Sequence, residues 1–219
     1  MSRVIELEIK EKKFKNESLS SLENFKLEVN EGEKIAIIGE SGVGKSTLLN
    51  IIGLLDGDFS GEYNIFGLSR KEMCDEELAS FRNNKIGFVL QESALIDTLS
   101  IEENIKLPLC YANNEQKQFT LQDFEKITKA IRIENILKKK PLGCSGGERA
   151  RAVLARGLIM KPKIILADEP TASLDEDNKE RIVELLFKMN KKYNTTIITV
   201  THDLEVAKRH DRIIKLERR

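Results

Sequence analysis

The chain of 219 residues has no tryptophan, only two histidines and three cysteines, and no surplus of either charge, since 36 basic side chains face 36 acidic ones. Without a field of one sign there is nothing to draw nucleic acid or an acidic membrane surface, and nucleic acid is not an expected partner. Cys74, Cys110 and Cys144 are odd in number and far apart, with no Cys-x-x-Cys pair and no histidine partner. That favours reduced thiols in a cytosolic protein over a disulfide frame or a zinc site. Long apolar runs are missing too. A bilayer span needs about 18 apolar residues, whereas "IAIIG" at Ile35 and "IIGLL" at Ile51 have the lengths of a core strand and a core helix. The opening "MSRVIELEIK" alternates and carries charge throughout, unlike a signal peptide. Repeats and low-complexity linkers are absent. The run Lys138-Lys139-Lys140 reads as a solvated face.

What remains is an ordinary globular composition, 40% apolar and 33% charged, enough for one large domain or one domain with an inserted subdomain. Ile5, Leu7 and Ile9 alternate, as do Phe25, Leu27 and Val29, which predicts β structure at the start. "IAIIG", "KIILAD" at Lys163 and "TIITV" at Thr196 suit strands buried on both faces. A helix is expected over "KSTLLNIIG", stopping at Gly53, and another where Ile182, Val183, Leu185, Leu186 and Met189 recur. Strand, helix, strand in this order means parallel βαβ units. From Glu92 to about Met160 the patterning is helical instead, with a capping box at Ser100 and Glu103 and an apolar stripe of Leu121, Phe124, Ile127 and Ile131.

Chemistry enters with "GESGVGKST", residues Gly39 to Thr47, which matches G-x-x-x-x-G-K-[ST] between a strand and a helix. Gly39, Gly42 and Gly44 let the backbone curl, so that N–H groups here and at Ser41 and Thr47 surround phosphate oxygens. Lys45 places a charge on the β- and γ-phosphates, and the Ser46 hydroxyl can ligate Mg2+. ATP and Mg2+ are therefore the expected ligands. "KIILADEP" ends a buried strand on two carboxylates, at the edge where open α/β sheets bind ligands. Asp168 suits the Mg2+ shell, directly or through water. Glu169 suits a general base for an attacking water, or alternatively a cap on the next helix. His202 also ends a buried strand and can hydrogen-bond a γ-phosphate or the water, whereas His210 reads as a packing or surface residue. Gln91, after "IGFVL", can reach Mg2+ or the water and report their presence.

A second stretch, "GCSGGERARAVLARGL", opens a helix on Ser145, Gly146 and Gly147 and continues through Arg149, Arg151 and Arg156. Its exposed N–H groups favour an anion, yet it carries neither a lysine nor a Mg2+ ligand. It is half a site. The fold class that follows is α/β: a P-loop NTPase core with a parallel sheet, an N-terminal antiparallel β subdomain and an inserted α-helical subdomain. Residues 1–91 and 161–219 form the nucleotide-binding core and 92–160 the helical part of a single domain, 1–219.

The order Gly39–Thr47, Gln91, Ser145–Glu148, "ILADEP", "SLD" at Ser173 and "THD" at Thr201 resembles the ATP-binding cassette (ABC) ATPases over essentially the whole chain. "IIGLLD", "IGFVLQES", "ENIKLPL" and "THDLEVAKRHDRIIKL" look most like the macrolide-export and lipoprotein-release type and the related subunits attributed to bacteriocin export. The resemblance implies the ABC ATPase fold and a head-to-tail, ATP-induced homodimer in which each site borrows Ser145 and Gly147 from the other copy. It further implies Asp175 at the same seam and Phe14 in place of the aromatic that stacks on adenine, although Phe14 also reads as a core residue. Hydrolysis would drive a separate integral-membrane permease, docked after Gln91 and along Ser100–Leu109, from a peripheral position at the inner face of the cell membrane. The alternative is a regulatory ATPase that signals through a membrane partner without moving a substrate. Three departures stand out: Cys144 where the signature usually has leucine, Arg149 and Ala150 where glutamines are frequent, and Ala172 where glycine is common.

Overall fold

The computed structural model describes residues 2–12, 22–90, 95–112, 123–172 and 174–217. Strands β1 (Arg3–Lys12), β2 (Leu22–Asn30), β4 (Ser60–Ile65) and β5 (Leu68–Ser69) make an antiparallel sheet in the order β2-β1-β4-β5. A parallel sheet takes β3 (Lys34–Gly39), β6 (Ile86–Val89), β7 (Ile164–Asp168), β8 (Thr196–Val200) and β9 (Arg212–Leu216) in the order β6-β7-β8-β3-β9. Helices α1 (Lys45–Ile52), α2 (Asp75–Lys85) and α3 (Ile101–Lys106) lie in the first half of the chain. They are followed by α4 (123–130), α5 (Gly146–Leu158), α6 (Glu176–Tyr193) and α7 (Leu204–Lys208). Among the described residues no helix is long and apolar enough to cross a membrane.

The parallel sheet divides the interior. Side chains of a strand alternate between faces, so Ile164 and Leu166 of β7 join one apolar cluster while Ile165 and Ala167 join another. Ile198 and Val200 of β8 fall with the first pair and Ile197 with the second. The first cluster holds α1 and the antiparallel sheet; the second holds the helical part from α3 to α5 together with α6. This is why the strands read as unbroken apolar runs: both faces are covered. In α4, Phe124 is buried and Ile127 packs against the second cluster with Ile131, as the stripe predicts; Leu121 lies outside the described residues.

Two glycines act through space rather than through φ. Helix α1 does end at Gly53, but Gly53 has φ −75° and the left-handed residue is Leu54, at φ 60°. A Cβ on Gly53 would stand 2.5 Å from the Phe88 ring. Gly157, inside α5, lets β6 approach, since its Cβ would meet the Phe88 carbonyl oxygen at 2.8 Å. Gly157→Ala therefore behaves unlike an ordinary helical glycine replacement. Alanine gains about 1 kcal/mol of helix propensity, but overpacking against backbone costs about 1–3 kcal/mol. Thermal unfolding should show a lower Tm, and a higher one would mean that β6 yields.

Candidate nucleotide site

Register brings the expected groups to one sheet edge. Ile37 of β3 pairs with Val200 of β8, and Val200 with Asp168 of β7. The P-loop, the Asp168-Glu169 pair and His202 thus leave the carboxyl ends of three adjacent parallel strands at one level, the usual ligand edge of an open α/β sheet. Ala167 pairs with Val89, so β6 ends at the same edge two residues before Gln91. Gln91, Phe14 and Ser173 lie outside the described residues.

The P-loop is built by glycines that have left-handed φ values, 77° at Gly42 and 99° at Gly44, with buried Val43 pinning the turn between them. A Cβ on Gly39 would meet the Leu216 carbonyl oxygen at 2.6 Å. Gly44 is the N-cap of α1, and neither a side-chain cap nor an acidic residue attends that helix start. Its first N–H groups are thereby left for an external anion. Lys45 Nζ donates to the Gly39 and Glu40 carbonyls at 2.8 and 2.7 Å, which holds the ammonium at the loop. Ser46 is exposed and Thr47 partly buried at the first turn, and Ser41 is exposed in the loop.

Glu169 is the most unusual residue at this edge. Its N–H donates to the Val200 carbonyl at 3.0 Å, one residue past the end of β7, and there the chain turns with φ 46°. A left-handed non-glycine residue costs about 1–2 kcal/mol. Its side chain is only 12% exposed, and Oε2 is buried with no hydrogen bond. His202 Nδ1 lies 2.9 Å from that oxygen. Glu169 does not cap the following helix, because Asp175 is the N-cap of α6. Backbone strain and an unsatisfied buried polar atom of this kind cluster at functional sites.

Among the described residues no cluster of three or more histidine, cysteine or acidic side chains could hold a metal alone. Mg2+ takes one or two protein ligands together with phosphate oxygens and water. Asp168 and Ser46 carry oxygen donors of the chemistry that Mg2+ takes.

Ser145, Gly146 and Gly147 form a second group. Ser145 caps α5 by accepting from Glu148 N–H at 3.2 Å, and Glu148 Oε2 accepts from Ser145 N–H at 2.7 Å. That hydrogen bond pulls the Glu148 carboxyl below its usual range. Arg151 donates to Asn178 Oδ1 at 3.1 Å, and Asn178 donates through N and Nδ2 to Asp175 at 2.9 and 2.7 Å. These bonds hold the Asp175 carboxyl low and join the Ser-Gly-Gly turn to the start of α6. A Cβ on Gly146 would meet nothing within 4 Å, so no neighbour among the described residues requires glycine there. Cys144 is buried in the second apolar cluster, its Sγ 3.5 Å from the Lys140 carbonyl. The exchange of leucine for cysteine therefore alters packing beneath the turn, not the exposed surface.

His210 is a packing residue, as expected. Burial holds its pKa down, and its Nδ1 and Nε2 lie 3.0 Å from the Val206 carbonyl and the Thr199 hydroxyl. Lys12 was not foreseen. It is buried at the end of β1 and pairs with Asp56 at 2.9 Å, which fixes the strand two residues before Phe14. No spacing in the sequence signals that pairing.

Comparison with known proteins bears on the whole arrangement. A family model described as ABC transporter matches residues 22–172. The ABC transporter ATP-binding protein MJ0796 of Methanocaldococcus jannaschii is 41% identical over 211 residues, covering 94% of this chain and 88% of that one. A solved dimer of the MJ0796 cassette, in a post-hydrolysis state bound to ADP and Pi, superposes with TM-score 0.86 at 38% identity, over 97% of this chain and 94% of that one. The lipoprotein-releasing system ATP-binding protein LolD of Colwellia psychrerythraea is 39% identical, covering 89% of this chain and 75% of its own length. The macrolide export ATP-binding/permease protein MacB of Rhodopirellula baltica is 36% identical over 91% of this chain, which spans 29% of that longer protein.

Proposed function

Because this chain belongs to the ABC transporter family as an ATP-binding, ATP-hydrolysing subunit, we propose that it works as a head-to-tail homodimer driving export through a separate membrane permease. The observation that carries the hydrolytic part is Glu169 Oε2, buried and without a hydrogen bond, at the edge shared by the P-loop and His202. In this reading the P-loop amides and Lys45 hold the β- and γ-phosphates of ATP. Ser46 and Asp168 would hold Mg2+, which when bound offsets phosphate charge. Glu169 accepts the proton of the attacking water, while His202 and Gln91 orient that water and the γ-phosphate. Phe14 stacks on adenine. Ser145 and Gly147 of one copy close over the γ-phosphate held by the other, with Gly146 leaving room for close approach and Asp175 beside it at the seam. The dimeric MJ0796 relative supports that assembly, and the LolD and MacB relatives support release or export as the process served.

A cleft of about 800 Å³ beside Leu90 supports a docking site for the permease. Leu55, Phe88, Leu90, Pro108, Tyr111 and Met160 line it, and Tyr111 is 81% exposed. We assign this apolar cleft to a cytoplasmic segment of the permease, which would hold the chain at the inner face of the membrane. The test is co-purification with a candidate membrane permease co-expressed with this chain. Tyr111→Glu should abolish the complex yet leave the free protein's Mg2+-dependent ATP turnover within about twofold, as for a surface change. Turnover lost without the permease, or a complex that survives, would move the docking site elsewhere.

A further inference from the structure

His202 has a mostly exposed side chain, at 73%, so its ring is placed chiefly by the backbone on either side. Upstream, the fully buried Thr201 donates its N–H to the Ile37 carbonyl of β3 at 3.1 Å, in the strand that runs into the P-loop. Downstream, three attachments converge on Asp203. Its N–H donates to Thr201 Oγ1 at 3.1 Å. Its Oδ1 accepts from the N–H groups of Glu205 and Val206 at 2.9 and 3.2 Å, capping α7. Its Oδ2 is ion-paired with Lys179 Nζ, from the first turn of α6. Lys179 and Asp203 are 20% and 24% exposed, so the pair is largely shielded, and Lys179's other acidic neighbour, Glu176, is mostly solvated at 3.5 Å. Each partner responds to the other: Lys179 is pushed up and Asp203 held down from their ordinary pKa ranges, each chiefly by this bond.

We propose that Lys179 is a positioning residue for ATP hydrolysis: through Asp203 it fixes the His202 backbone opposite Glu169, and it ties that placement to α6, the helix capped by Asp175. The proposal rests on the reading of His202 as a member of the hydrolytic site. Without Lys179, Asp203 keeps its α7 cap and its bond to Thr201 but, among the described residues, loses its bond to α6, so the turn carrying His202 is no longer tied to that helix. A group displaced by a fraction of an ångström loses rate without losing substrate affinity.

The experiment is steady-state ATP turnover of the intact protein, with melting curves to confirm folding, for Lys179→Met, Lys179→Arg, His202→Ala and the Lys179→Met/His202→Ala double variant. Lys179→Met should lower kcat by about three- to tenfold, the range of one partly shielded ion pair, with KM for ATP unchanged. Lys179→Arg should recover most of the loss. On the His202→Ala background, Lys179→Met should change kcat by less than about twofold, because the two substitutions remove one effect. Wild-type kcat in Lys179→Met, an equal loss in Lys179→Arg, or an undiminished loss in the double variant would each overturn the proposal. If His202→Ala is slow while Lys179→Met is not, only the Lys179 proposal falls. If His202→Ala turns over at the wild-type rate, the reading of His202 falls and takes this proposal with it.

Discussion

Glu169→Gln should bind ATP, release phosphate about 10²–10⁴-fold more slowly than the wild type and accumulate as an ATP-bound dimer. The substitution keeps the length and shape of the side chain and replaces the one property the position supplies, a carboxylate oxygen able to take a proton. Oε2 is buried, makes no hydrogen bond and approaches His202 Nδ1 at 2.9 Å, so that approach is the contact the amide changes. Phosphate release and gel filtration with and without ATP read the two halves of the expectation. Unchanged turnover would remove Glu169 as the base. Glu169→Gly separates chemistry from strain. The backbone there sits at φ 46°, so glycine relieves about 1 kcal/mol and should raise thermal stability while turnover is lost just as fully. A site that becomes more stable as it becomes inactive is one in which strain was retained for function.

Lys45→Ala and Ser145→Arg chains should each be inactive alone and should recover roughly a quarter of wild-type turnover when mixed in equal amounts. In a head-to-tail pair the sites are made of unlike halves. Random pairing makes half the dimers mixed, and each mixed dimer holds one site with an intact Lys45 from one chain and an intact Ser145 from the other. Lys45→Ala removes the ammonium held over the Gly39 and Glu40 carbonyls. Ser145→Arg fills the turn and also removes the cap of α5, which costs about 1 kcal/mol of stability, so circular dichroism should confirm that both chains fold. No recovery on mixing would argue that each chain completes its own site.

The fold was legible where one physical requirement dominates a segment. Strands buried on both faces left uninterrupted apolar runs, and the phosphate loop left glycines at fixed spacing. Helix α2 was not legible, because Leu78 is its only buried residue and no stripe forms. The short strand β5 and the solvent-facing β9 were missed for a related reason: much of their side-chain surface stays exposed, so their residues carry little burial signal. At the site, Asp168, Glu169 and His202 could be picked out because each lies at or just past the end of a buried strand. Lys179 and Lys12 could not, since their meaning depends on Asp203 and Asp56, and nothing in one chain's spacing announces a pairing between distant surface-type residues. Gly53 ends α1 as its position suggests, and the Phe88 ring adds a demand for glycine that no spacing shows.

Cys144 supplies a gauge that nobody needs to install. Cys74 and Cys110 are exposed, whereas Cys144 is sealed under the Ser-Gly-Gly turn with its thiol pushed up by burial. Alkylation requires an accessible thiolate, so an added thiol reagent meets two fast residues and one slow one in the same molecule. The slow rate counts how often the packing around α5 comes apart. Taken with and without nucleotide, it reports whether ATP tightens the helical half of the molecule, in the native chain and without an attached label.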